Sequence, residues 1–164
     1  MAIRNIVKEG DDILNKKCRP VEKFDQKLHT LLNDMAETMY NAEGVGLAAP
    51  QVGILRRVAV IDVSENRNEL IEFINPQIIA FSGEQTGNEG CLSFPGQYGI
   101  VTRPDYVKVK ALNRFGEEFV TEGRGLLARA ICHETDHLNG MVFKKLAQKM
   151  LSKREIEEMT KKRR

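Results

Sequence analysis

The run His133-Glu134-Thr135-Asp136-His137 constrains this chain more than any other stretch. On an α-helix the two histidines lie one turn apart on one face, so both imidazoles can reach a single transition metal. The glutamate between them is then placed to act as a general base on metal-bound water. The preceding segment, Gly125 to Cys132, has no proline and is rich in helix formers. Leu126, Arg129 (through its aliphatic stem), Ala130, His133 and His137 follow at spacings of three and four, which predicts one helical stripe, and Gly140 is a natural stop. The chain has only three histidines in 164 residues, and two sit in this pattern, so a chance pair of structural histidines is the weaker reading.

A chain of 164 residues is long enough for one domain with a proper core and short for two, so residues 1–164 are expected to form a single catalytic domain. Hydrophobic residues make up 41% and charged residues 29%, which are globular values. A net charge of +2 carries no nucleic-acid footprint, and DNA is not an expected partner. Basic residues do crowd the C-terminus, at Lys149, Lys153, Arg154, Lys161, Lys162, Arg163 and Arg164. Such a run is either a solvated face or a docking surface for an acidic partner. Cys18, Cys91 and Cys132 are odd in number and widely spaced, which argues against a disulfide framework. The first residues, from Met1 to Lys8, hold no apolar segment of signal-peptide length, and no stretch approaches membrane-span length. A cytoplasmic enzyme with its thiols reduced, and no membrane partner, is the expectation.

Along the chain, Asp25 to Asn41 predicts a helix buried through Leu28, Leu31, Leu32, Met35 and Met39, with His29 as an ordinary surface histidine and Gly44 as the stop. Arg57 to Val63 reads as a strand, and so does Leu70 to Ile74, ended by Asn75-Pro76, with Gln77 to Phe81 as a third. Tyr106 to Leu112 alternates as a half-buried strand and turns at Asn113 to Gly116 into a partner over Glu118 to Glu122. Ser152 and Glu155 form a capping-box signature for a last helix. The pattern is α+β, without repeats or linkers.

Two histidines need a third protein ligand. The extended pattern of one zinc-protease class would put another histidine at position 143, which is Phe143 here. A glutamate from a later helix, as in the other large class, could be Glu155, Glu157 or Glu158. Cys91, in Glu89-Gly90-Cys91-Leu92-Ser93, is a third option, because the glycine before it lets backbone approach a metal. Cys132 precedes His133 on the same helix and points about 100° away, which makes it a poor ligand. Cys18 has no supporting context.

A further motif, Gly44-Val45-Gly46-Leu47-Ala48-Ala49-Pro50-Gln51, strings small residues up to a side-chain amide. With E-G-C-L-S and H-E-T-D-H, in this order and at these separations, it resembles the motif set of the peptide deformylases over essentially the whole chain. The resemblance implies antiparallel β-sheets packed around a central metal-bearing helix, with a C-terminal helix. It implies removal of the N-formyl group from newly made polypeptides that begin with formyl-methionine. It implies metal ligands Cys91, His133 and His137, with Glu134 as general base and acid. It also implies that the Gln51 amide and the Leu92 backbone N–H stabilise the oxyanion, each such donor being typically worth about 3 kcal/mol. The metal of that family is usually ferrous iron in the cell, although thiolate and imidazole also suit zinc, nickel and cobalt.

Several expectations extend this. Glu89 is expected to pair with Arg103 and stiffen the Cys91 loop. Val45, Gly46, Leu126, Arg129, Ala130 and His133 are candidates for the substrate pocket, with Val45 backbone groups pairing an extended peptide. Cys132 stands where the family commonly has glutamine, Phe94 where a smaller aliphatic is common, and Tyr98 where many relatives have arginine. The basic terminal helix suggests contact with the ribosome. The competing readings are an endopeptidase using Glu157 or Glu158 as ligand, and a non-catalytic binding protein of the same fold.

Overall fold

In the computed structural model, which describes residues 2–162 and side chains through residue 161, the helix over Gln26–Asn41 (α1) begins at Asp25. The Asp25 carboxylate accepts from the Leu28 N–H at 3.2 Å and satisfies one of the unpaired first-turn donors. The helix buries Leu28, Leu31, Leu32, Met35 and Met39, as its periodicity predicts. It ends at Asn41, three residues before the expected glycine, and Glu43 then takes φ +59°. His29 is half-buried, with Nε2 2.8 Å from the Arg114 carbonyl and its ring edge-on to Phe115.

Among the described residues eight strands follow, in two antiparallel sheets. β1 (Gly46–Ala48), β2 (Val58–Ile61), β3 (Ile71–Ser82), β6 (Tyr106–Leu112) and β7 (Glu118–Arg124) form one sheet in the order β1-β2-β3-β6-β7. β4 (Gln85–Gly90), β5 (Tyr98–Arg103) and the short β8 (Lys149–Met150) form the second. The two short strands expected around Asn75-Pro76 are one strand, β3. Its register shifts between Ile74 and Gln77, and Asn75 takes φ +51°. Pro76 therefore sits in a bulge, where its missing N–H breaks no ladder bond. The Asn75 amide holds the bulge by bonding both backbone groups of Val21, at 2.8 and 3.0 Å.

β4 and β5 were not among the expected strands. β4 reads Gln-Thr-Gly-Asn-Glu-Gly, with no apolar residue to reveal its inner face. The buried positions of this pair include Glu89 and Arg103, which neutralise each other, so hydrophobic alternation cannot report them.

The metal-motif helix, α2 (Leu126–Leu138), runs through the middle of the fold and is buried nearly all round from Ala128 to Glu134. Ala128, Ala130, Ile131 and Cys132 pack with Ile61, Phe73, Val107 and Val109 of the larger sheet. α1 covers the other end of that sheet, packing Met35 and Met39 with Leu47 of β1 and Val58 and Val60 of β2. Gly140, at φ +76°, turns the chain away after α2. The last helix, α3 (Lys153–Lys162), starts in the expected capping box. Ser152 Oγ accepts from the Glu155 N–H at 3.2 Å, and the Glu155 carboxylate accepts from the Ser152 N–H at 3.0 Å. No helix among the described residues is long and apolar enough to cross a membrane. Of the basic C-terminal residues, Arg163 and Arg164 lie outside the described residues, as does Met1 at the other end.

Candidate metal centre and active site

α2 brings His133 and His137 together as their spacing requires, with their Nε2 atoms 3.2 Å apart. The segment after β4 delivers Cys91, whose Sγ lies 3.3 Å from His137 Nε2. The ligand atoms of Cys91, His133 and His137 all lie within 4.8 Å of one another. A tetrahedral ion bound at about 2.0–2.3 Å sets ligand-to-ligand distances of roughly 3.3–3.6 Å, so the donor set fits one metal. Burial and the neighbouring His133 hold His137 well below its usual value, leaving a neutral imidazole with a lone pair to offer. His137 Nδ1 is buried without a hydrogen-bond partner among the described residues.

His133 is oriented from behind. Glu89 Oε2 lies 2.7 Å from its Nδ1, which leaves Nε2 for the metal side. Phe143 stacks on the His133 ring with centroids 6.0 Å apart and meets Phe94 edge-on. The residue at position 143 therefore supports the site by packing, where another class of enzyme would supply a ligand.

Glu89 is the hub beneath the site. Its carboxylate accepts from Arg103 at 3.1 and 2.7 Å, the pairing that sequence suggested, and from Arg129 at 2.8 Å. Arg103 also reaches Asp136 of the motif helix at 2.5 Å. Burial alone would raise the Glu89 carboxyl. The hydrogen bonds and charges of His133 and Arg103 outweigh it and hold the group well below the usual carboxylate range. The roles of Arg129 and Asp136 in this network had no sequence signal, because an ion pair between distant strands and helices has no fixed spacing.

Glu134 projects from the same helix into the cavity. Burial raises its carboxyl to about 7, despite the proximity of His133. Its Oε1 has no hydrogen-bond partner among the described residues. Its Oε2 lies against Gly46, where any Cβ would collide with it, so β1 can pass this close only with glycine.

Gln51 is fixed at both ends. Its Oε1 accepts from the Ala48 N–H at 2.9 Å, and its Nε2 donates to Ser93 Oγ at 3.1 Å and lies 3.4 Å from Cys91 Sγ. Ser93 is wholly buried and was not singled out from the sequence. Gln51, Cys91, Leu92, His133 and Glu134 face one cavity of about 390 Å³, and Val45, Gly46, Leu126, Arg129 and Ala130 all line it as well. Tyr98 lines the same cavity and packs against Gly90. The alternative ligands lie elsewhere. Glu155 bonds Lys149 at 2.7 Å, and Glu157 and Glu158 are exposed on α3. Cys132 is buried against the larger sheet, and Cys18 packs with Leu138 in a separate cluster.

A family profile described as polypeptide deformylase matches residues 3–153. The chain is 61% identical over 143 residues to a peptide deformylase of Lachnoclostridium phytofermentans, covering 87% of this chain and 88% of that relative. It is 50% identical over 159 residues to peptide deformylase 1 of Bacillus subtilis, covering 97% and 99% of the two chains. Its fold matches the crystal structure of a peptide deformylase from Legionella pneumophila with a TM-score of 0.86 at 45% identity, covering 98% of this chain and 97% of the other.

Proposed function

Because this chain belongs to the peptide deformylase family, which removes the N-formyl group from newly synthesised polypeptides, we propose that the reaction takes place at the Cys91, His133 and His137 cluster. The observation that carries this assignment is the convergence of three ligand atoms within 4.8 Å beside Glu134, whose Oε1 has no hydrogen-bond partner among the described residues, with Cys91, His133 and Glu134 facing one cavity. A divalent ion bound there supplies Lewis acidity and a water of lowered pKa, ferrous iron in the cell being our assignment, with zinc, nickel or cobalt suiting the same donors.

The chain's own residues supply the rest. Glu134, with its carboxyl raised to about 7, takes a proton from the attacking water near neutral pH and returns it to the leaving amine. The Gln51 Nε2 and the Leu92 N–H donate to the oxyanion that develops on the formyl oxygen. Ser93 and the Ala48 N–H keep the Gln51 amide from turning. Val45, Leu126, Ala130 and the Arg129 stem receive the methionine side chain, and the Arg129 head is anchored on Glu89 and the Val101 carbonyl.

The peptide lies extended along β1. The Val45 carbonyl accepts from the Asp62 N–H at 2.8 Å, so it is taken at the end of β2 and not free for the peptide, contrary to the expectation that Val45 backbone groups would pair it. By strand alternation the Gly46 N–H and C=O face the free edge of the sheet, and they pair with the substrate backbone.

We take residues 1–164 as one catalytic domain working in the cytoplasm. Exposed Lys153, Arg154 and Lys161 on α3 support contact with the ribosome. Deleting residues 153–164 spares β8 and tests this by ribosome co-sedimentation at low salt. Unchanged sedimentation removes the reading. The catalytic assignment is tested by turnover of a formyl-Met peptide by anaerobically purified protein, with metal analysis of the same sample, beside Cys91→Ser. The variant is expected to lose both metal and activity, and full activity would return the third ligand to α3.

A further inference from the structure

Two of the three non-glycine residues with positive φ among those described flank one backbone group: Glu43 immediately precedes Gly44, and the Gly44 carbonyl accepts from the Arg67 guanidinium. Such conformations cost of order 1–3 kcal/mol each and persist where surrounding contacts enforce them. Here the contacts are dense. The Arg67 guanidinium donates to the Gly44 carbonyl and, at 2.6 Å, to the Asp62 carbonyl. It lies over the Tyr40 ring, 5.1 Å from the centroid. The Tyr40 hydroxyl donates to Asp62 Oδ2 at 2.6 Å, and the Asp62 carboxylate also accepts from the Ser64 N–H and hydroxyl and the Glu69 N–H. The loop carrying Arg67 is thus tied to the end of β2, and Arg67 ties it onward to the residue before Val45.

The consequence lies at the free edge of β1. Gly46 and Ala48 are the alternate positions of β1 that face outward, and Gly44 lies two residues before Gly46, just ahead of the strand. The Gly44 N–H is taken by the Met39 carbonyl at 3.0 Å, and its C=O is taken by Arg67. The Ala48 N–H is taken by Gln51. Gly46 is left between Gly44, whose two backbone groups are both taken, and Ala48, whose N–H is taken, beside Glu134. An exposed strand edge normally permits slippage, because every second residue offers the same pair of groups. Closing the flanking positions leaves one register.

We propose that Arg67 is a positioning residue that sets the register of the formylated peptide on β1, by removing the Gly44 carbonyl from the edge and holding the chain through Val45. This rests on the reading that the substrate pairs with Gly46. The residue acts on the part of the substrate that follows the formyl-methionine, so its loss discriminates by substrate length.

The test compares formyl-methionine with a formyl-Met-Ala-Ser peptide on the metal-loaded wild type, Arg67→Met and Arg67→Lys. Arg67→Met is expected to raise KM for the peptide about tenfold, the weight of one charge-assisted hydrogen bond, with kcat within about twofold. KM for formyl-methionine stays within about twofold, and Arg67→Lys recovers part of the loss. Equal losses on both substrates, or a shared fall in kcat, would assign Arg67 to general stability and overturn the proposal, as would an unchanged peptide KM. A peptide N-methylated at the amide after methionine separates the two readings on wild-type enzyme. If methylation leaves KM unchanged, strand pairing fails and this proposal with it. If methylation raises KM but Arg67→Met does not, strand pairing stands and the role of Arg67 alone is overturned.

Discussion

Glu89 Oε2 and His133 Nδ1 lie 2.7 Å apart, so the imidazole that faces Cys91 and His137 is aimed by a carboxylate on the opposite side of its ring. That carboxylate also carries Arg103 and Arg129, which makes one buried anion the support for two guanidinium groups and a candidate metal ligand. Glu89→Gln keeps the size and removes the charge. It is expected to weaken metal affinity about 10–100-fold. It also leaves two buried guanidinium groups under-compensated and destabilises the fold by about 3–5 kcal/mol. Chelator competition measures the first and urea unfolding the second, and wild-type metal affinity would detach Glu89 from the site.

Glu134→Ala removes the proposed proton carrier and leaves the three candidate ligand atoms alone. The variant is expected to bind metal at wild-type stoichiometry and to lose at least about 10²–10⁴-fold in kcat. Metal analysis and turnover on one sample check both halves. Activity within about tenfold of wild type would take Glu134 out of the mechanism.

Gln51→Leu keeps the volume and removes the Nε2 donor. The cost is about 3 kcal/mol in the transition state, or about 10²-fold in kcat, with KM nearly constant. An effect confined to KM would mean that Gln51 binds the ground state and not the developing oxyanion.

Asp62 gives a pH signature of stability away from the metal. Burial raises its carboxyl, but hydrogen bonds from Ser64, Tyr40 and Glu69 outweigh this and hold it at about 2, below its ordinary 3.8. Its folded value is depressed, so the stabilisation is fully present above the ordinary value and is lost as pH falls through the folded one. Urea unfolding of the wild type should therefore lose about 2 kcal/mol between pH 4 and pH 2 from this group. Asp62→Asn should be less stable at neutral pH and should lack that part of the acid dependence. An identical acid profile in the variant would assign the loss to other carboxylates.

Local features were legible in the sequence because they depend on neighbours within one turn. The α1 stripe, the Asp25 cap, the Ser152 and Glu155 capping box and the His133 and His137 pair all follow from the 3.6-residue period or from capping chemistry. The β4–β5 pair was not legible. Its buried faces carry Glu89 and Arg103 in place of apolar residues, so the charges that hold the site also erase the alternation that would reveal the strands. The division of β3 into two strands failed for a related reason. Pro76 marks a strand end only where a ladder bond is required, and the neighbouring bulge removes that requirement.

By itself the sequence determined a helix bearing two imidazoles one turn apart with a carboxylate between them, and three motifs in the order of a known family. Which distant group completes the ligand set, what holds His133 in place and which part of the β1 edge stays open were decided only by the tertiary structure. Each of these joins residues far apart in the chain: Cys91 with His137, Glu89 with His133, and Arg67 with Gly44. No local period encodes such pairs. They exist because burying the charges of Glu89, Arg103 and Arg129 is tolerable only when the sheets and α2 bring opposite charges into contact, and that packing also sets the spacing of the ligand atoms.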